Sequence, residues 1–210
     1  MKYTIFENLL TKKEAGEIIK WTKDKSAIKC GLMPFGSPIQ TSDKTSNNKY
    51  PVQKEDFTPA MRRISKWLSD LTKYPMSCQT WSILHYTPGQ VYPLHHDGNG
   101  HYYTCYIYLN DVDGGETTFP NSNVQLKGKL GRGMLWQNYT MSTTFYGLPY
   151  LKEDSSSHHY AKTPRSGEKW GLQIFITDPT YIDERTLAYR TFALILLLCI
   201  VFAVGRIGNR

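Results

Sequence analysis

The spacing of apolar positions changes character three times along this chain. Residues 11–24 open with Thr11-Lys-Lys-Glu14, the spacing at which a threonine and a glutamate close a capping box. They continue with Ala15, Ile18, Ile19 and Trp21 at helical intervals. This predicts a helix. A second helix is predicted from Thr58, with Pro59 at its first position and Met61, Ile64, Leu68 and Leu71 on one face. Residues 25–56, between them, are polar and rich in Gly, Pro, Ser and Asn, and read as a long loop or flap. From residue 80 the chain turns to short aromatic and β-branched runs split by turn residues: WSILHY (81–86), YYTCYIYL (102–109), GMLWQ (133–137), STTFY (142–146) and WGLQIFI (170–176). Short runs of this kind predict an antiparallel sandwich or jelly roll.

The third change comes at the C-terminus, where TFALILLLCIVFAVG runs fifteen residues without a charge between Arg190 and Arg206. At about 1.5 Å per residue such a helix spans about 22 Å, short of the ~30 Å hydrocarbon core. Snorkelling arginines or local thinning would close that gap. A core helix is the plainer alternative, but with no polar stripe it would need cover all round. The expectation is therefore a transmembrane tail at 191–207, a linker at 181–190, and a preceding domain at 1–180 on the cytosolic side. Within that domain, N-terminal helices occupy 1–75 and the β-rich core 76–178. The fold class expected is mostly β with flanking helices.

Composition narrows the picture modestly. With 210 residues, 40% hydrophobic and 20% charged, the chain is neither disordered nor collagen-like and can bury a core unaided. Its net charge of +7 permits acidic partners without requiring one. Fifteen tyrosines and five tryptophans suit a β-rich protein with an aromatic-lined cleft. Cys30, Cys78, Cys105 and Cys199 are scattered, which argues against a zinc site or a disulfide framework. No basic-then-apolar stretch opens the chain, so no secretory signal is expected, and the sequon Asn138-Tyr139-Thr140 is expected to stay idle.

All six histidines fall between positions 85 and 159. On a strand, residues two apart share a face, so His95 and Asp97 can close on one ion. His159, sixty-four residues later, can supply a second imidazole from a facing strand. Two histidines and a carboxylate on one triangular face suit non-haem Fe(II) with open positions. A His-x-Asp alone is a poor signal, since turns supply it often.

Its surroundings are more specific. Tyr86-Thr-Pro-Gly-Gln90-Val-Tyr92-Pro-Leu-His95-His-Asp97 resembles the Tyr-x-x-Gly-Gln-x-Tyr-x-x-His-x-Asp segment of the prolyl 4-hydroxylases, a family of Fe(II)/2-oxoglutarate dioxygenases. Tyr108-Leu-Asn-Asp-Val112 and Gly114-Gly-Glu-Thr117-Thr-Phe-Pro120 are similar to its next block. Asp154-Ser-Ser-Ser-His-His159 and Gly167-Glu-Lys169-Trp170 are similar to its last metal histidine and the Gly-x-Lys-Trp ten residues on. Phe6-Glu-Asn-Leu-Leu-Thr11 and Lys44-Thr45-Ser46 agree more loosely. The resemblance covers about residues 3–177 and is strongest over 86–176.

The resemblance implies a double-stranded β-helix with Fe(II) held by His95, Asp97 and His159. It implies 2-oxoglutarate as cosubstrate, O2, and ascorbate as reductant. It places the cosubstrate's far carboxylate on Lys169, with hydroxyls from Tyr86 and Thr117, and makes Tyr92 substrate-lining. A buried carboxylate needs such a cation. The plainer readings are a solvated surface lysine, a strand threonine and an aromatic beside a turn. His96 is expected to point away from the iron face. His158 adjoins His159, although the spacings to Asp154 and Lys169 favour His159. His85 and His101 are expected to be packing or surface residues. No catalytic residue is expected beyond the metal and cosubstrate ligands.

The implied reaction is hydroxylation of a peptidyl proline at C4, with release of succinate and CO2. The retained Asp97 favours it over halogenation, since related halogenases lose this carboxylate. Proline-rich chains arrive as extended polyproline II, which aromatic grooves suit. The substrate-facing parts depart from the family. Only six residues separate Asp97 from Thr104, His101 stands where arginine is common, Thr163-Pro164 replaces an earlier Cys-Pro, and 139–157 is expanded. Other readings are the same chemistry on peptidyl lysine or a small molecule, an oxidative nucleic-acid demethylase, or a non-catalytic membrane-anchored binding module. Demethylases typically grip 2-oxoglutarate through arginine, and the basic residues here form no stripe, so nucleic acid is not the expected partner.

Overall fold

The computed structural model describes residues 1–32, 38–39, 47–98, 100–143, 147, 149–180, 189 and 192–193. Both predicted helices are present. Helix α1 spans Lys12–Trp21, and its capping box closes as the spacing requires: Thr11 Oγ1 accepts from Glu14 N at 3.2 Å, and Thr11 N donates to Glu14 Oε2 at 2.8 Å. Helix α2 spans Pro59–Thr72 behind an N-cap at Thr58 and ends at Lys73, which takes the left-handed conformation with φ of 65°. Its buried stripe is Ala60, Met61, Ile64, Ser65 and Leu68. Leu71, expected on that face, is instead exposed. Ser65 holds an inward place because its hydroxyl finds buried Gln79 Oε1 at 2.7 Å.

Two facing antiparallel sheets form the body, the layering of a jelly roll. The major sheet has eight strands in the order Tyr3–Phe6, Gly133–Gln137, His101–Tyr108, Lys169–Thr177, Gln79–Tyr86, Asn47–Val52, Ile28–Leu32 and Pro38–Ile39. The minor sheet has four: Val124–Leu126, Thr117–Phe119, His159–Ala161 and Tyr92–His95. The expanded 139–157 stretch makes its own ribbon, Tyr139–Thr143 against Pro149–Glu153. Part of the expected 25–56 loop is strand, because Ile28–Leu32 and Asn47–Val52 extend the major sheet beyond Gln79–Tyr86. Ile28, Cys30 and Leu32 alternate with Lys29 and Gly31, a short signal inside a polar stretch, whereas Asn47–Val52 has no sustained apolar alternation. Lys44-Thr45-Ser46 lies outside the described residues.

Strict alternation divides the major sheet into two chemistries. Ile83, Cys105, Ile107, Leu135, Leu172, Ile174 and Ile176 face the helices and share one core with Ile18, Met61, Ile64 and Leu68. Leu84, Tyr86, Tyr106, Tyr108, Met134 and Trp136 face the minor sheet and pack on Phe119 and Ala161. Lys169 and Gly171 share this second face, so the cleft between the sheets has an aromatic floor. Among the described residues no helix is long and apolar enough to cross a membrane. The tail expected at 191–207 lies outside the described residues apart from Phe192 and Ala193, which are exposed.

Candidate metal and cosubstrate site

His95 ends one strand of the minor sheet and His159 begins its neighbour, and the register places them directly opposite. Asp97 is not on the strand. It lies in the following turn, closed by Gly98 N donating to His96 O at 2.9 Å. The pairing of His95 with Asp97 expected from strand alternation is therefore reached through a turn. One ligand atom from each of the three residues lies within 4.8 Å of the others. His95 Nε2 is 3.3 Å from Asp97 Oδ1, and His159 Nε2 is 3.7 Å from Oδ2.

The surrounding hydrogen bonds choose the tautomers. His95 Nδ1 lies 2.9 Å from Pro93 O, and His159 Nδ1 lies 3.0 Å from Ser157 O. A carbonyl only accepts, so each Nδ1 carries the hydrogen and each Nε2 keeps its lone pair for a metal. Burial opposes ionisation of Asp97, but the facing His159 and His95 and the Thr104 hydroxyl outweigh it and hold the carboxyl well below the usual range. Burial, reinforced by neighbouring His95, pushes His159 down to about 3. An ionised carboxylate beside two imidazoles that turn Nε2 toward it is the donor set that Fe(II) takes.

Behind Asp97 stands a buried chain that the sequence reading did not single out. Thr104 Oγ1 donates to Asp97 Oδ2 at 2.7 Å, Asn138 Nδ2 donates to Thr104 Oγ1 at 2.8 Å, and Trp136 Nε1 donates to Asn138 Oδ1 at 2.8 Å. Its one legible signal is a polar threonine at an inward position of an aromatic strand. The other histidines stand apart. His158 Nδ1 turns to Ser155 O at 3.0 Å, and His96 Nε2 to Asn138 O at 2.8 Å. His85 stacks on Trp170 and His101 on Phe175.

Deeper between the sheets, Lys169 is only 1% exposed and pairs in register with Tyr86. Its Nζ lies over three rings, 4.8 Å from the centroid of Tyr86, 5.1 Å from Tyr106 and 5.3 Å from Tyr108. Among the described residues no carboxylate stands within 4.0 Å of this ammonium. Burial pushes it down to about 7, partly countered by the charge of Glu116. A dry cation between the same two sheets as the donor set, with no carboxylate beside it among the described residues, fits the far end of a small dicarboxylate.

Thr117 is buried beside it, Oγ1 lying 3.4 Å from Tyr108 Oη, which also accepts from Thr117 N at 3.2 Å. Glycines make this room. Gly115 has φ of +64°, and a Cβ there would fall 3.1 Å from Lys169 Cδ; one on Gly171 would fall 1.9 Å from Tyr106 Oη. Tyr92 sets its ring edge-on to His95, centroids 4.6 Å apart. It also lines a cleft of about 460 Å³ with Pro93, Leu94, Glu116, Tyr160 and Lys162.

Two facing sheets around a two-histidine, one-carboxylate cluster define the class: a jelly-roll-like protein with the donor set of a non-haem iron oxygenase. No protein-family model matches the chain. It is 27% identical over 201 residues to the Arabidopsis thaliana protein named "Probable prolyl 4-hydroxylase 10", covering 80% of this chain and 65% of that protein. "Probable prolyl 4-hydroxylase 8" of the same plant is 27% identical over 191 residues, covering 79% and 65%. The chain thus spans 65% of the length of these curated relatives. Among solved structures, the viral collagen prolyl hydroxylase of Paramecium bursaria Chlorella virus-1, in its 2OG complex, shares the fold. Its TM-score is 0.63 at 18% identity, over 87% of this chain and 97% of that one. A prolyl hydroxylase of Trichoplax adhaerens, in complex with a hypoxia inducible factor peptide fragment, has TM-score 0.61 at 16% identity, over 84% and 83%. The chain's curated homologues are prolyl 4-hydroxylases.

Proposed function

We propose that this protein is an Fe(II)- and 2-oxoglutarate-dependent dioxygenase that hydroxylates a peptidyl residue, proline at C4, releasing succinate and CO2. The observation that carries this reading is that the His95, Asp97 and His159 donors and the buried Lys169, which has no carboxylate within 4.0 Å among the described residues, lie against one aromatic cluster between the two sheets. Iron bound there would supply O2 activation coupled to decarboxylation of the 2-oxo acid, with ascorbate as reductant.

The protein's own part is positional. His95 and His159 present Nε2 because backbone carbonyls hold their Nδ1 hydrogens. Thr104 holds Asp97 Oδ2 and fixes the plane of the carboxylate. Lys169, with the Tyr86 and Thr117 hydroxyls, takes the cosubstrate's far carboxylate. Phe119 and Trp136, each with its ring centroid 5.0 Å from that of His159, keep water from the cluster. Tyr92, with Tyr160 across the cleft beside it, suits an extended, proline-rich peptide, which would bring one C–H bond to the metal at little ordering cost. The unbroken apolar run at 191–205 supports, by hydropathy, a C-terminal membrane anchor over 191–207 behind the 181–190 linker, with domain 1–180 in the cytosol.

The test is the full chain with Fe(II), ascorbate, 2-oxoglutarate and a panel of proline-rich peptides, following succinate and peptide mass together. A one-oxygen gain on proline, absent in His159→Ala, is the expected result. Succinate without peptide oxidation would move the target to another residue or to a small molecule. Folded protein that binds no metal would overturn the reading.

A further inference from the structure

Tyr106 is 4% exposed, and among the described residues its hydroxyl has no hydrogen-bond partner. A buried donor without an acceptor costs folding free energy, and phenylalanine would fill the same space without that cost. The hydroxyl is also aimed. It lies over the bare Cα of Gly171, where an added Cβ would sit 1.9 Å from it, so the neighbouring strand leaves space for it.

Its place in the cleft gives the orphan hydroxyl a use. Thr104, Tyr106 and Tyr108 are successive inward positions of one strand, covering about 13 Å at about 3.3 Å per residue. The first reaches the metal-donor cluster, donating to Asp97 at 2.7 Å. The last faces Lys169, whose Nζ is 5.3 Å from its ring centroid. Tyr106 stands between, its own ring centroid 5.1 Å from the same Nζ. A dicarboxylate with one end on the metal and the other at Lys169 must run alongside Tyr106. The next inward tyrosine hydroxyl, Tyr108 Oη, is already occupied, lying 3.0 Å from the carbonyls of both Gly115 and Leu126. The Tyr106 hydroxyl is not.

We infer that Tyr106 is a cosubstrate-binding residue: its hydroxyl donates to the far carboxylate of 2-oxoglutarate beside Lys169, and so helps select a diacid over a monoacid of equal length. This rests on the cosubstrate reading above. The lysine alone supplies charge but little direction, being a flexible point donor. A phenol fixed on a strand supplies the direction.

The experiment is calorimetric titration of the full chain, loaded with Mn(II), with 2-oxoglutarate and with 2-oxopentanoate, which has a methyl group in place of the far carboxylate. Tyr106→Phe is expected to raise the dissociation constant for 2-oxoglutarate by about tenfold or more, as loss of a hydrogen bond to a charged group does. It should leave 2-oxopentanoate binding unchanged and the ligand-free melting temperature unchanged or higher. Equal 2-oxoglutarate affinity in wild type and Tyr106→Phe would overturn the inference, as would equal weakening for both ligands, which would mark a packing role. If wild type binds 2-oxopentanoate as well as 2-oxoglutarate, the cosubstrate reading itself falls. Tyr106→Leu, which removes ring and hydroxyl together, provides the same comparison should the phenylalanine variant fold poorly.

Discussion

Lys169 experiences opposite demands with and without its ligand. In the folded protein burial brings its pKa down to about 7 from the ordinary 10.5, with Tyr86, Tyr106 and Tyr108 around it and the charge of Glu116 partly countering the shift. Between those values the unfolded chain holds the extra proton, so this group makes the ligand-free protein more stable as pH rises from about 7 toward 10.5. Carboxylate binding needs the charged form and runs the other way: 2-oxoglutarate affinity should fall as pH climbs above about 7. Titrations of the Mn(II) form across that window check this. The slope should vanish in Lys169→Met, and a flat wild-type profile would contradict it. Thr104 offers a second test at this scale. Thr104→Val frees Asp97 Oδ2 to rotate and should weaken Mn(II) binding about tenfold or more, while Thr104→Ser restores it. Valine binding metal as tightly as wild type would remove Thr104 from the site's construction.

Elements were legible where a local period exists. The capping box of α1 could be read from Thr11 and Glu14 because both partners lie within one turn. Thr11→Ala should therefore cost about 1 kcal/mol in urea unfolding, with no change in metal affinity. The major-sheet strands that line the cleft were legible because their aromatic and β-branched runs are dense, whereas the four short strands of the minor sheet are not among those runs. Ile28–Leu32 and Asn47–Val52 were not, because a five-residue alternation that includes Gly31 and a polar run that includes Pro51 are weak local signals, and backbone pairing across the sheet makes them strands. Gly171 shows what an element needs from its neighbour. Gly171→Ala sets a methyl against the Tyr106 hydroxyl and should destabilise by about 1–3 kcal/mol, the usual cost of overpacking. Pairing it with Tyr106→Leu should recover much of the melting temperature but not 2-oxoglutarate affinity. Full stability in Gly171→Ala alone would mean the ring has room to shift.

For the whole molecule, metal is expected to act as a clamp between the two strands that carry His95 and His159. Any ligand that binds only the native state stabilises it by mass action, about 2.7 kcal/mol at a hundredfold excess over the dissociation constant. Mn(II) should accordingly raise the melting temperature, a chelator should reverse this, and Asp97→Ala should abolish it; a shift that survives in Asp97→Ala would place the metal elsewhere.

The two helices, the β-rich middle, the kinds of ligand atom available and the motif order that sets Lys169 ten residues beyond His159 could all be read from the amino-acid order. Those features depend on backbone periodicity and on chain order, both local or linear properties. The three-dimensional arrangement added that His159 stands directly opposite His95, that Asp97 arrives by a turn, and that Thr104, Asn138 and Tyr106 belong to the site. Each of these follows from sheet register between distant segments, such as His95 opposite His159 and Lys169 opposite Tyr86. Register places side chains in a shared dry cleft, and there burial, tautomer and charge become collective properties that no single segment carries.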